Sequence, residues 1–465
     1  MFLDKDNYLP YKCAEKTVSF ESFSFASDSV KSKPSSLCGV GKNCDIQKGV
    51  LGVGVGCSPI IMEGNTVGVV GNTVKADCLF GVWEQGQQGE KQRRIAVLGE
   101  DGAFWVCREN GAYWSKIHAF GTRMGVFGAI GENGETVTVF IGPAGVYTYD
   151  GVNGLVKGNL DRTARAGCYL QGRVFCAVAP SSLAFSAPFK PNDFTDGLDG
   201  GGVVKLPDNK GEIVALATLK DKVYIFFEFG ICALTPTGSA RSFVVEEVGY
   251  DGGRIFEGSV GKRDGAVENL LFLAENGVYR FDGAKCVKIV KELGVSPKRE
   301  KLVCHSAVFE GKYFVTFVDS TNTLRGLVVD LATLQGYYAF APEGLSSFDG
   351  GAIAVCDGVL QQVGDFASLP SGEERTFFVG GLDLGARGLK NLQSVCVYGD
   401  GEVELCISSG KKQKSVTLDL STGMANIKAF LRGRQFSLTL RLKGRSRVTG
   451  VTLYHSALVK EKERG

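Results

Sequence analysis

Short runs of alternating apolar and polar residues, separated by glycine-containing turns, dominate the pattern along this chain. Gly145–Gly151 (GVYTYDG) recurs as Gly277–Gly283 (GVYRFDG), and looser copies begin at Gly102, Gly230 and Asp357. Successive residues of a strand point to opposite faces, so each copy can bury one face and expose the other. The Asp-Gly dipeptides supply the positive φ angles of two-residue hairpin turns. The pattern therefore predicts a succession of antiparallel hairpins.

The regular recurrence of these hairpins favours a β-propeller. Two hairpins make one four-stranded blade, and blades arranged around an axis leave only short edges. A β-sandwich built from the same hairpins is the alternative, but residues 49–366 form a long stretch for one sandwich. We predict a propeller of six or seven blades over residues 49–370.

The spacing of the apolar runs changes after Pro370. Six strands are predicted there, over residues 374–379, 392–398, 403–408, 415–420, 436–442 and 448–454. Turn residues separate them at the spacing typical of a β-sandwich. The predicted fold is therefore all-β, a β-propeller followed by a small C-terminal β-sandwich domain at 371–465. The irregular residues 1–48 are predicted to form an N-terminal arm.

Composition narrows the cellular setting. The chain has 465 residues, a formal net charge of +2 and 14 cysteines. No window approaches the roughly 18 apolar residues that a membrane-spanning helix needs, and the N-terminus lacks the pattern of a signal peptide. We expect a soluble protein, made in a cytoplasm, whose cysteines are free thiols.

Candidate catalytic chemistry is sparse. The three histidines, His118, His305 and His455, are scattered, and the sequence contains no P-loop, nucleophile elbow, zinc-protease or EF-hand motif. No catalytic, cofactor-binding or metal-binding residue is predicted, and no cofactor is expected. A pair of carboxylates of the glycosidase type remains conceivable, because acids are plentiful and propellers host such enzymes.

Positive charge is concentrated near the C-terminus. Residues 411–447 contain ten basic side chains against the single acid Asp419. The ten are Lys411, Lys412, Lys414, Lys428, Arg432, Arg434, Arg441, Lys443, Arg445 and Arg447. One interpretation is a sheet with a solvated charged outer face. The other is a surface that docks onto an acidic partner or onto DNA phosphates. Arg432 and Arg434 would share one face if a single strand includes both.

Two regions resemble a known family, over roughly residues 165–240 and 375–455. The first contains GRVF at 172–175, FS at 185–186, PNDFT at 191–195, LP at 206–207, GEIV at 211–214 and the apolar run 223–227. The second contains LRGR at 431–434, FSL at 436–438 and VTGVTL at 448–453. This order is similar to the β-propeller tail-hub or nozzle proteins (packaged-DNA stabilisation proteins) of short-tailed bacteriophages.

The resemblance implies a structural virion protein with no catalytic residues. Such a protein forms a homo-oligomeric ring that lines or seals the DNA conduit, and its partners are portal, adaptor or tail components. Non-specific contact with packaged DNA is also implied. Two other hypotheses stay open: a binding propeller that recognises glycan or protein, and a carbohydrate-active enzyme. Two facing buried carboxylates at the propeller mouth would favour the enzyme.

Overall fold

A computed structural model describes residues 8–10, 14–23, 36–48, 50–62, 65–66, 76–85, 91–108, 113–179, 181–197, 200–236, 243–265, 267–290, 293, 295–298, 304–348, 350–384 and 388–460. Within these residues the chain forms strands β1–β42 and no helix. The fold is a β-propeller joined to a C-terminal β-sandwich, which confirms the predicted fold class.

Eight strands precede the first complete blade. They are β1 (Tyr8–Pro10), β2 (Ala14–Phe23), β3 (Ser36–Lys42), β4 (Cys44–Gln47), β5 (Val50–Val53), β6 (Gly56–Pro59), β7 (Ile61–Met62) and β8 (Asn65–Thr66). β7 and β8 form a small hairpin. The remaining six strands join structures formed much later in the chain.

Blades 1 to 3 each consist of four consecutive antiparallel strands. Blade 1 contains β9 (Ala76–Gln85), β10 (Lys91–Gly99), β11 (Ala103–Arg108) and β12 (Tyr113–Ala119). Blade 2 contains β13 (Gly125–Ile130), β14 (Thr136–Gly142), β15 (Gly145–Tyr149) and β16 (Leu155–Lys157). Blade 3 contains β17 (Ala164–Leu170), β18 (Arg173–Val178), β19 (Ser182–Phe185) and β20 (Gly202–Lys205).

Blades 4 to 6 repeat this arrangement. Blade 4 contains β21 (Ile213–Leu219), β22 (Lys222–Phe227), β23 (Gly230–Thr235) and β24 (Val244–Val248). Blade 5 contains β25 (Gly261–Arg263), β26 (Asn269–Ala274), β27 (Gly277–Phe281) and β28 (Cys286–Val290). Blade 6 contains β29 (His305–Phe309), β30 (Lys312–Val318), β31 (Leu324–Asp330) and β32 (Gly336–Ala339).

Blade 7 closes the ring with a strand from the N-terminal side. Its first three strands are β33 (Gly344–Phe348), β34 (Gly351–Cys356) and β35 (Val359–Gly364). The fourth strand is β6, which pairs antiparallel with β35 so that Cys57 lies opposite Val363. The described residues therefore form seven blades, within the predicted range of six or seven, and this pairing joins the two ends of the propeller.

The sandwich uses the last seven strands. They are β36 (Arg375–Leu382), β37 (Lys390–Asp400), β38 (Glu402–Ser409), β39 (Lys412–Asp419), β40 (Met424–Gly433), β41 (Phe436–Leu442) and β42 (Arg447–Lys460). One sheet has the order β36-β41-β38-β39, and the other includes β42-β37-β40. Leu405 and Leu440 of the first sheet and Val397 and Leu453 of the second belong to one buried core.

Part of the predicted N-terminal arm belongs to this sandwich. β2 pairs antiparallel with β42, with Val18 opposite Val451, and β3 pairs with β36. Cys44, Ile46 and Leu51 are buried in the sandwich core. The first and last described strands of the chain are thus neighbours in one sheet system, and the chain then enters the propeller at β6.

Asn43 links the propeller to the sandwich through side-chain hydrogen bonds. Its side-chain amide donates to Glu373 Oε2 and to the Glu374 carbonyl, both at 2.9 Å. Its carbonyl oxygen Oδ1 accepts from the Phe340 N–H at 2.6 Å, next to the end of blade 6. Asn43 is fully buried and has a φ of 55°, a left-handed conformation that asparagine tolerates better than most residues.

Candidate functional site

Six of the ten predicted basic residues lie on the outer edge of the sandwich. We call this set the basic edge: Lys411, Lys412, Lys414, Lys428, Arg432 and Arg434. They occupy β39, β40 and the turns at one end of these strands. Among the described strands, β39 pairs only with β38, and β40 pairs only with β37. The basic edge therefore follows the last strands of both sheets.

Backbone and side-chain hydrogen bonds fix the geometry of the basic edge. The Lys414 ammonium donates to the Lys428 carbonyl and so bridges the two sheets. The Ser409 hydroxyl donates to the Gln435 carbonyl at 3.0 Å. The Lys390 ammonium, only 1% exposed, donates to the Arg434 carbonyl at 2.6 Å. Burial lowers the pKa of Lys390, and this bond anchors the turn that carries Arg434.

Two other cations are neutralised within the sandwich. Arg441 Nη1 lies 2.9 Å from Glu404 Oε1, and Arg441 Nε lies 3.4 Å from Glu374 Oε2. Lys443 forms an ion pair with Glu402. By contrast, no ion pair involves Lys411, Lys412, Lys428 or Arg434 in the part of the chain that the structure describes. The excess charge is thus on the edge rather than over a whole sheet face.

The last two cations, Arg445 and Arg447, line a cleft of about 610 Å³ between the sandwich and the propeller. Lys312 and Glu310 of blade 6 face the same cleft. Asp45 lies against it and is 4% exposed. Its carboxylate accepts from the Ile46 N–H at 2.8 Å and from Gln47 Nε2 at 3.1 Å, and burial raises its pKa. Opposite charges are therefore mixed in this cleft.

The structure thus divides the predicted basic surface into three places. The strand that carries Arg432 ends at Gly433, so Arg434 lies in the following bend and the two do not share a strand face. The strand β40 itself was absent from the six predicted strands. Its inward positions include two alanines, Ala425 and Ala429, which give a weak apolar signal. The docking role of the ten residues stays a prediction.

Phe430 stands out on the basic edge. Its side chain is 66% exposed, and its φ is +49°. The ladder between β37 and β40 pairs Leu392 with Leu431 but Ser394 with Lys428, so β40 carries one extra residue here. Such a β-bulge re-aims side chains locally. Lys428 and Arg432, two residues before and two residues after Phe430, are exposed as well.

A second candidate site lies at one mouth of the propeller channel. A recess of about 550 Å³ is lined by residues of blades 1 to 4, 6 and 7 and by the segment 254–260 that leads into blade 5. Three ion pairs cross it: Arg165–Glu212 at 2.6 Å, Arg254–Glu228 at 2.5 Å and Arg123–Glu257 at 3.6 Å. Each carboxylate thus faces an arginine. Glu212 and Glu257 are about half exposed, so the acids of these pairs are not the two facing buried carboxylates that would favour the enzyme hypothesis.

The channel mouth and the cleft lie on opposite faces of the propeller. In blade 6, residues at the start of β29 (His305, Ser306) line the mouth, whereas Glu310, just after its end, lines the cleft. No sequence signal marked the mouth residues, because they come from separate blades and no motif joins them. Only the ring closure brings them together.

Comparisons with known proteins give limited similarity. No protein-family model and no curated protein matches the chain. Among solved structures, a catalytically inactive virginiamycin B lyase from Staphylococcus aureus with quinupristin is 11% identical. That alignment covers 66% of this chain and 99% of that chain, with a TM-score of 0.41. The computationally designed Ika8 protein is 12% identical over 75% of this chain and 99% of that chain, with a TM-score of 0.36.

The assignment of the fold rests on the sheet topology itself. Seven antiparallel blades around a channel fit a binding or a structural propeller. In the described part of the chain, no helix has the length and apolar character needed to span a membrane.

Proposed function

We propose that this protein is a structural virion component of a phage tail or of the head-to-tail connection. In this proposal it forms a homo-oligomeric ring that lines or seals the DNA conduit, and it has no enzymatic activity. The basic edge is the observation that carries the docking part of the proposal. The resemblance to tail-hub and nozzle proteins suggests the ring, the location in the virion and the neighbouring portal, adaptor or tail proteins.

The charge distribution supports a docking role. The chain has 52 basic and 50 acidic residues, of which ten and one lie in 411–447, so the rest carries 42 and 49. Six of these ten cations lie on the basic edge, which is therefore strongly cationic, and the residues outside 411–447 are net acidic. Like charges that are held close together repel one another unless a counterpart is bound. An acidic protein surface or DNA phosphates would supply that counterpart.

The test is a charge reversal on the basic edge. We would make Arg432→Glu with Arg434→Glu and measure incorporation into particles and retention of packaged DNA. Because the backbone carbonyls of both residues make the bonds that hold the turn, we expect the variant to fold. We expect incorporation to fall about tenfold or more, the loss typical of charge pairs in an interface.

A matched control keeps the same change in net charge. Arg162 and Lys285 are exposed residues of the propeller, and Arg162→Glu with Lys285→Glu should leave incorporation unchanged. Normal incorporation and DNA retention of the edge variant would refute the docking role. If phosphates are the partner, binding of a DNA duplex by the wild type should weaken steeply with salt and show no sequence preference.

A binding propeller is the second candidate function, and the recess of about 550 Å³ at the channel mouth favours it. Arg254 and Glu228 would be central to such a site, since each is only partly exposed. Binding on a glycan array that is lost in Arg254→Ala would support this candidate. If the protein bound no glycan on the array but was incorporated into particles, the structural role would be favoured over the binding role.

A further inference from the structure

The backbone of Phe430 is unfavourable for the fold. A bulky side chain with φ near +50° is an outlier, because Cβ then crowds the backbone. An exposed ring also gains little from burial within its own chain, and two-thirds of this one is exposed. Folding stability therefore gives no reason for phenylalanine at this position, and glycine would relieve the conformational cost.

The edge around Phe430 is built against strand addition. A bulge and the cations Lys428 and Arg432 interrupt the outer edge of β40, and both features discourage pairing with another strand. Lys428 and Arg432 flank the ring in sequence on the same exposed side. Any partner must therefore engage side chains: an apolar recess for the ring and acidic groups for the cations.

We propose that Phe430 and the basic edge form one side of the contact between two copies of this chain. This inference rests on the proposed ring and names its subunit interface. The same chain carries the complementary charge, because outside residues 411–447 it has 49 acidic against 42 basic residues. A cationic end that meets a net acidic body makes a head-to-tail contact, and such a contact closes into a ring if its rotation permits.

The ring of Phe430 acts as the anchor in this contact. A single aromatic side chain that fills a pocket often dominates the affinity of an interface, while surrounding charges set orientation. DNA is the less suitable occupant, because a duplex offers phosphates to the cations but keeps its base faces stacked and unavailable to an isolated phenyl ring.

The experiment compares the wild type with Phe430→Gly in purified form. Sedimentation velocity and native mass spectrometry over a concentration series measure self-association. Thermal unfolding at low protein concentration measures the stability of the fold. We expect the wild type to self-associate and Phe430→Gly to do so about tenfold or more weakly. Its melting temperature should be unchanged or higher, because glycine accepts the positive φ.

Phe189→Gly is the matched control. Phe189 also has a positive φ, of 57°, and is 48% exposed, but it lies in blade 3. Its replacement should leave self-association as in the wild type. The ionic part of the contact is checked with Lys428→Glu, which should weaken self-association, and with added salt, which should do the same.

Two results would overturn the inference. If Phe430→Gly self-associated as strongly as the wild type, Phe430 would not belong to the subunit interface. The proposed virion role would be unaffected, because incorporation of the charge-reversal variant tests that role separately. A wild type that stays monomeric throughout the series would also remove the self-contact. Loss of duplex binding in Phe430→Gly, with self-association intact, would assign the residue to DNA instead.

Discussion

The propeller and the sandwich are both antiparallel β structures, yet they are assembled from the chain in opposite ways. In blades 1 to 6, each strand pairs with the strand before or after it in sequence. In the sandwich, β2 pairs with β42, and Val18 lies opposite Val451. The propeller is thus a series of local units closed by one long-range pairing. The sandwich depends on contacts between the two ends of the chain.

The buried polar groups show the same contrast. Asp319 in blade 6 accepts hydrogen bonds from Thr321, Thr323 and Arg325, all within six residues. Asn43 bonds instead to Glu373, 330 residues further along the chain. Local bonds shape a turn within one hairpin, whereas the long-range bonds decide how the propeller and the sandwich are joined.

Asn43→Ala should produce the largest effect. The substitution removes all three side-chain hydrogen bonds and leaves the buried N–H of Phe340 without the Asn43 acceptor. We expect a loss of about 4 kcal/mol in the free energy of unfolding. Urea denaturation, followed by tryptophan fluorescence and by circular dichroism, measures this loss.

Asn153→Ala is the control for this prediction. Asn153 makes a side-chain bond to Asp150 in an exposed hairpin turn, and its replacement should cost about 1 kcal/mol or less. Equal losses in the two variants would mean that the long-range tie is no more important than a surface turn.

This contrast also explains what sequence patterns can predict. The repeat at Gly145–Gly151 and Gly277–Gly283 predicted the propeller, because each copy is one strand, β15 or β27, that pairs with the strand immediately before it in sequence. The strand β2 gave no comparable signal, because its partner β42 lies more than 400 residues away. Nothing in a local window shows that such strands will meet.

The candidate site shows the same limit of local patterns. The sequence identified the ten basic residues by their density, but not their division among the edge, the ion pairs and the cleft. Arg441 is neutralised by Glu404 of the neighbouring strand β38, and Arg447 faces the cleft with Asp45. The surroundings of both arginines depend on the order of the strands in the fold, and a count of charges along the sequence gives no information on that order.

Gly54→Ala tests the close approach where the chain passes from the sandwich to the propeller. A Cβ at this position would lie 2.8 Å from the ring of Tyr337 and 2.9 Å from the Asn43 carbonyl oxygen. Because the backbone of Asn43 cannot easily move, we expect a loss of about 3 kcal/mol in the free energy of unfolding. Chemical denaturation measures it.

Gly128→Ala provides the contrast within the propeller. A Cβ on Gly128 would meet no atom within 4 Å, so this variant should change stability by about 0.5 kcal/mol or less. If Gly54→Ala changed stability as little as Gly128→Ala, the segment that connects the sandwich to the propeller would have to be packed less tightly than these distances indicate.

Asp319→Asn should produce the smallest of these losses and should depend on pH. Burial raises the pKa of this carboxyl, but the hydrogen bonds from Thr321, Thr323 and Arg325 outweigh burial and hold the pKa well below its usual range. A carboxyl with a lowered pKa stabilises the fold fully at pH values above its ordinary pKa of about 4. That stabilisation disappears as the pH falls through this value toward the folded-state pKa.

We therefore expect Asp319→Asn to cost about 1.5 kcal/mol at neutral pH, since the ionised acceptor is lost but the turn keeps its shape. The difference between wild type and variant should narrow steadily below about pH 4. Urea denaturation of both proteins across this range measures the difference. A gap that stayed constant down to the lowest pH would show that the charge of Asp319 contributes nothing, and that this local turn is held by its shape alone.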